Sequence, residues 1–420
     1  MAASMAEMIL LGLLADWIFR KLRFPGLIGM LLLGVVSGPF VLNWLAPDFL
    51  RISDDLRMMA LIVILLRAGF ELSREALSRV GLQTLLLSCI PGILEGAAIA
   101  MLGPRFLPLT HLESAMLGFI LAAVSPAVVV PLMIRFIEEH RGAKKGIPTM
   151  ILGAASLDDV FAITFFSIFL GIYRGEGMHP ARALIGIPIS ILLAIGTGLL
   201  LGWLLYHLFN RFNPRATKRT LIVVGVSIML VRIQQSLDGI VPFAALLAVM
   251  ALGFIILEKH EHMAHEISAK LGKVWIFASI LLFTLVGAQV NLPVAREAGL
   301  AGLGLICCGL AARSLGVLLC LLRSPLNRRE RLFTMISYWP KATVQAAIGA
   351  VPLATMTQMG RDTAPGSMIL AVAVLSILFT APLGAWLISW LGPKLLTDDG
   401  PAEHAALDAL IESEGDTPHP

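Results

Sequence analysis

About thirteen apolar stretches, most of them near the ~20 residues a helix needs to cross a hydrocarbon layer, follow one another along the 420 residues of this chain. Their limits are 4–20, 24–44, 55–72, 80–103, 113–137, 147–173, 181–208, 219–236, 240–257, 272–290, 297–322, 330–357 and 366–391. Lipid offers a polypeptide backbone no hydrogen-bond partner, so only helices and closed barrels can span it. The stretches are continuously apolar and do not alternate, which favours helices over barrel strands. The sequence therefore predicts an all-α polytopic membrane protein with about 13 transmembrane helices. With 57% hydrophobic and only 14% charged residues, a soluble enzyme is excluded. The first stretch reads as a span, not a cleaved leader. Cys89, Cys307, Cys308 and Cys320 all lie inside apolar stretches, so they suggest neither a disulfide framework nor a zinc site. No phosphate-binding, dinucleotide-binding or zinc-protease motif occurs, so no cofactor, no nucleic-acid partner and no enzymatic activity are expected.

Lysine and arginine set the orientation. Roughly 21 of them fall in loops after odd-numbered stretches and about 8 after even-numbered ones. That asymmetry puts the N-terminus outside and the C-terminus in the cytoplasm, in the cell (inner) membrane. From Lys394 onward the chain is acidic and poor in apolar residues, so 394–420 is expected to be a disordered cytoplasmic tail. Glu258, His260, Glu261, His262, His265 and Glu266 read as a solvated cytoplasmic loop, with a pH-sensing or metal-binding role as the weaker reading.

Two adjacent carboxylates, Asp158 and Asp159, interrupt the stretch 147–173. With Pro148 in the first turn, they lie roughly 17 Å from the helix start, near the middle of a ~30 Å apolar layer. A charge at that depth costs about 3 kcal/mol or more, so the pair implies a function. A bland, hydrogen-bonded structural pair is the weaker reading, and a cation site that also takes protons is the stronger one. An intramembrane aspartyl protease is excluded, because its carboxylates must converge from separate segments on one water.

Two other stretches are broken. Ser125-Pro126-Ala127-Val128-Val129-Val130-Pro131 lies inside 113–137, and Trp339-Pro340-Lys341-Ala342-Thr343 lies inside 330–357. Pro126, Pro131 and Pro340, with Thr343 following, mark helix breaks, because proline removes a backbone donor. Non-helical backbone at membrane depth survives only where protein buries it or where it lines a cavity. The breaks occupy corresponding places if stretches one to six and eight to thirteen are two six-helix repeats. An odd number of spans separates the repeats, so they are inverted. Paired broken helices in inverted repeats point to a transporter's binding site.

Ser125-Pro-Ala-Val-Val-Val-Pro131, Lys145-Gly-Ile-Pro148, Ser156-Leu-Asp-Asp159 and Pro340-Lys-Ala-Thr-Val-Gln-Ala-Ala-Ile-Gly349 resemble sodium/proton antiporters of the cation/proton antiporter superfamily. The similarity is to the NHA-like branch, relatives of animal sodium–lithium/proton exchangers. Arg67-Ala-Gly69, Pro91 to Glu95 and Arg313 fit the same branch. The resemblance implies a homodimer in which a dimerisation domain stands beside a mobile core, with the two broken helices crossing in the core. Applied to this chain, 1–72 are dimerisation-side helices, 80–173 core helices of repeat one, 181–208 a linker helix and 219–290 second-repeat dimerisation-side helices with one core-side helix. Core helices of repeat two then occupy 297–391. It also implies that Asp159 is the main ion carrier, and it departs from several superfamily members in placing Arg313 where lysine is common.

Sodium and lithium prefer oxygen ligands. Asp159 and Asp158 supply carboxylates, with Ser125 and carbonyls freed at the first break completing the shell. A cation and a proton then compete for one site. Lys341 is expected to neutralise helix C-terminal ends at the crossover, and Arg67 to snorkel or cap carbonyls. Glu95 and Arg313 occupy mate stretches and lean toward the midplane from opposite sides, which predicts a salt bridge between them. An Arg313 occupied by Glu95 favours electroneutral exchange. An Arg313 paired with Asp158 instead would let net charge move. A potassium/proton antiporter or a sodium-coupled solute symporter of the same fold are the alternative functions.

Overall fold

The computed structural model of the chain describes residues 2–22, 24–72, 74–175, 180–237 and 243–398. Among the described residues the chain is helical almost throughout, with no strand and one isolated bridge, Arg141 to Asp398. The helices are α1 (Ala2–Lys21), α2 (Gly26–Ser37), α3 (Pro47–Arg51), α4 (Ser53–Phe70) and α5 (Arg74–Phe106). Next come α6 (His111–Leu121), α7 (Pro126–Glu138), α8 (Ile147–Arg174), α9 (Pro180–Phe212), α10 (Ala216–Leu237) and α11 (Ala245–Lys259). The chain continues through α12 (Glu261–Ala288), α13 (Leu292–Cys320), α14 (Arg328–Ser337), α15 (Thr343–Ile348), α16 (Val351–Gln358) and α17 (Ala364–Leu395). Among the described residues each apolar stretch falls largely on a helix or a consecutive set of them, and eight segments are long and apolar enough to cross a membrane.

The departures from the sequence reading have local causes. Stretch 24–44 is helical only to Ser37, because Gly38 turns extended and Pro39 has no N–H to continue the ladder. The expected loop at 258–266 is instead the end of α11 and the first turns of α12. His260 caps α12 by accepting the Met263 N–H, and Met263, Ala264 and Ile267 bury one face while His262 and His265 stay exposed. Helix α17 runs on to Leu395, and Arg141 reaches Asp398, so the first residues of the expected tail are ordered. The remainder of that expectation, 399–420, lies outside the described residues. Pro131, expected at a break, sits inside the continuing helix α7; the break itself is at 122–125, just before Pro126. A proline five residues into a helix leaves one carbonyl unpaired without ending it.

Helices α5 to α8 pack on α13 to α17, while α1 to α4 pack on α9 to α12. The two groups touch mainly where α4 meets α7, α8 meets α9 and α11, and α2 meets α17. Within the first group the approach is backbone to backbone. A Cβ on Gly316 of α13 would lie 2.7 Å from the Pro91 Cα of α5. One on Gly118 of α6 would lie 2.5 Å from the Gly96 carbonyl oxygen. That closeness brings α5, α6 and α13 near enough for short polar contacts between side chains in their middles.

Candidate ion-binding site

The two broken helices meet. Their first halves both begin with a capping box, Thr110 with Glu113 on α6 and Asn327 with Glu330 on α14. Ser125, extended as a residue before proline must be, donates its N–H to the Pro340 carbonyl at 2.8 Å. Each interrupted backbone therefore satisfies part of the other.

Helix α6 ends at Leu121 in the apolar layer, and the carbonyls of its end and of 122–123 just beyond have no helical partner. Side chains from the second half of the chain cover them in turn. Gln345 Nε2 donates to Ile120 at 3.0 Å and to Ala123 at 3.1 Å. Lys341 Nζ donates to Leu121, and Arg313 Nη1 to Ala122. Two of these donors are cations, which also suit the negative end of a helix.

The same cations hold the carboxylates. Glu95 on α5, fully buried, lies 2.7 Å from Arg313 Nη1 and 2.7 Å from Lys341 Nζ. Arg313 Nη2 reaches Asp158 Oδ2 at 3.0 Å. The guanidinium therefore bridges Glu95 and Asp158, where the sequence posed them as alternatives. Asp158 Oδ2 also accepts the Val124 N–H at 2.6 Å, tying α8 to the first break. The Tyr338 ring lies under Arg313 at 5.4 Å, and Lys341 is anchored through its own N–H to Thr380 Oγ1 at 3.0 Å.

Asp159 is outside this network. Neighbouring residues on a helix point about 100° apart, so Asp159 does not share the partners of Asp158. Its Oδ1 is buried and accepts no hydrogen bond. Ser125 Oγ and Thr343 Oγ1 are likewise buried and without a partner. The carbonyls of 120–123, freed at the first break, each accept a donor from Gln345, Lys341 or Arg313. Pro131 lies inside α7, away from the break, and Arg67 pairs with Glu138 of α7 in place of capping carbonyls.

Gln345 and Thr380 were missed as supporting residues. Gln345 stands in the quoted run Pro340–Gly349, but an uncharged amide costs little to bury and gave no signal of its own. The spacing of its amide five residues after Pro340 places it one turn into α15, beside the end of the crossing helix.

The family model described as sodium/hydrogen exchanger, transmembrane, matches residues 8–392. Human sodium/hydrogen exchanger 9B2 is 35% identical over 396 residues, spanning 93% of this chain and 72% of the human protein. Human sodium/hydrogen exchanger 9B1 is 32% identical over 382 residues, spanning 89% of this chain and 73% of that protein. In fold, the chain matches the sodium proton antiporter MjNhaP1 from Methanocaldococcus jannaschii at pH 8, with a TM-score of 0.75 at 23% identity. That match covers 94% of this chain and 98% of the archaeal one.

Proposed function

The chain belongs to the transmembrane sodium/hydrogen exchanger family, and from that premise we propose that Asp159 carries sodium or lithium one way and a proton the other, one for one. The protein is a secondary active sodium/proton antiporter. The observation that carries the finer reading is the pairing of charges at the crossover. Glu95 and Asp158 are held by Arg313 and Lys341, two carboxylates against two cations. Of these three carboxylates, Asp159 alone has a buried oxygen with neither a hydrogen bond nor an ion pair. Loaded with either a sodium ion or a proton, Asp159 is neutral; empty, it leaves one uncompensated buried charge, which is expensive to move through an apolar barrier. The two loaded forms therefore cross and the empty one does not, which is sufficient for obligatory exchange.

Asp158 orients the site: its bonds to Arg313 and Val124 fix α8 against the crossover, so Asp159 is presented in one position. Ser125 Oγ and Thr343 Oγ1 are the candidate neutral ligands. Helices α5 to α8 and α13 to α17 make up the mobile core, and the remaining helices the dimerising scaffold of a homodimer in the cell membrane, N-terminus outside. The matching capping boxes on α6 and α14 support a two-repeat, thirteen-span arrangement.

Cation-induced proton release from proteoliposomes tests this reading. Lithium and sodium should release protons from the wild type and not from Asp159→Asn. Release by potassium in place of sodium would make it a potassium/proton antiporter, and sodium uptake that requires an organic anion and releases no proton would make it a symporter.

A further inference from the structure

A cavity of about 610 Å³ opens between the two helix groups, away from the crossover, lined from α1, α2 and α12 on one side and from α7 and α17 on the other. That volume is in the range that holds a small ligand. Its lining is graded. The floor is buried and mostly apolar, made by Leu27, Met30, Leu132 and Phe283. The mouth is exposed and carries Arg20, Arg135, Phe24 and Trp390. Arg20 is bound to Asp16 through Nε at 2.9 Å, and Arg135 to Glu139 through Nε at 2.6 Å. In both pairs the carboxylate is held at Nε, and a guanidinium carries further N–H donors beyond that one. A third cation, Lys394, sits 3.7 Å over the Trp390 ring. Arg20 and Arg135 against Asp16, the charged side chains of the lining, leave the cleft net positive. Ser389, whose Oγ is buried and unpartnered, adds a donor within the lining.

We propose that this cleft binds one anionic phospholipid, its phosphate between Arg20 and Arg135 at the mouth and an acyl chain on the apolar floor. A free phosphate would leave the floor empty, and a plain hydrocarbon would leave the arginine forks unused. The mouth lies where α1, α7 and α17 end, the level at which lipid headgroups stand beside a membrane helix, and its exposed Phe24 and Trp390 suit that boundary. Since the lining comes from both helix groups, a bound lipid ties them together.

The test uses the full-length protein in a neutral detergent, titrated with dioctanoyl phosphatidylglycerol, dioctanoyl phosphatidylcholine or inorganic phosphate. Thermal unfolding and native mass spectrometry report binding, so the outcome is independent of antiport. One phosphatidylglycerol should stay bound per chain and raise the Tm, with phosphatidylcholine weaker and inorganic phosphate without effect. Joint Arg20→Gln and Arg135→Gln should weaken binding by about tenfold or more, the loss expected for charge-assisted bonds to phosphate. Leu132→Trp, which fills the floor and leaves the arginines intact, should abolish it. Unchanged affinity in either variant, or an equal shift with inorganic phosphate, overturns the proposal.

Discussion

At the scale of the residue, the two adjacent aspartates should separate in stability as well as in activity. Asp158 is tied to a guanidinium and a backbone N–H, whereas Asp159 Oδ1 has no partner. Asp158→Asn removes one side of a buried ion pair, a loss of about 3–5 kcal/mol, and its Tm should fall clearly. Asp159→Asn removes an unpaired buried charge, so it should abolish exchange while leaving the Tm equal to or above wild type. A thermal melt with the two variants in the reverse order would contradict the assignment. Ser125→Ala keeps the backbone bond to Pro340 and deletes only the unpartnered hydroxyl, so sodium KM should rise with little change in Tm. The charged members of the buried network, Glu95, Asp158, Arg313 and Lys341, were legible in the sequence, because a charge within an apolar run must have a reason. That Arg313 serves two carboxylates was not legible: position along a helix gives depth, while partner choice depends on which way each helix is rotated in the packed bundle.

At the scale of the element, the crossover stands or falls on how the open end of α6 is covered. Gln345 alone satisfies two of its carbonyls. Gln345→Leu would leave both bare in a dry interior at about 1–3 kcal/mol each, so the Tm should drop by several degrees even though no charge is touched. Unfolding at the wild-type temperature would mean that α6 does not depend on these caps. Apolar length and proline placement made the helices and both breaks visible in advance. They misled at Pro131, where a proline is tolerated inside α7, and at 258–266, where charge and histidine concealed a helical face of Met263, Ala264 and Ile267. Gly316 shows the other side of the same limit: nothing in its sequence surroundings announces that α13 must lie against Pro91 of α5.

At the scale of the whole molecule, the paired charges govern how much charge moves per cycle. If a proton and a cation share Asp159, lower pH should raise the apparent sodium KM, approaching about tenfold per pH unit once protonation dominates, the limit for one proton. A KM independent of pH would separate the proton from the cation site. If Glu95 and Asp158 stay held by Arg313 and Lys341 as the site moves, its sodium-loaded and proton-loaded forms cross with the same net charge. The most direct measurement is uptake of radiolabelled sodium into proteoliposomes under an imposed membrane potential with no pH gradient, beside uptake under a pH gradient with the potential clamped at zero. One-for-one exchange at Asp159 predicts accumulation only under the pH gradient, at a rate the potential does not alter; sodium accumulation driven by the potential alone would contradict it.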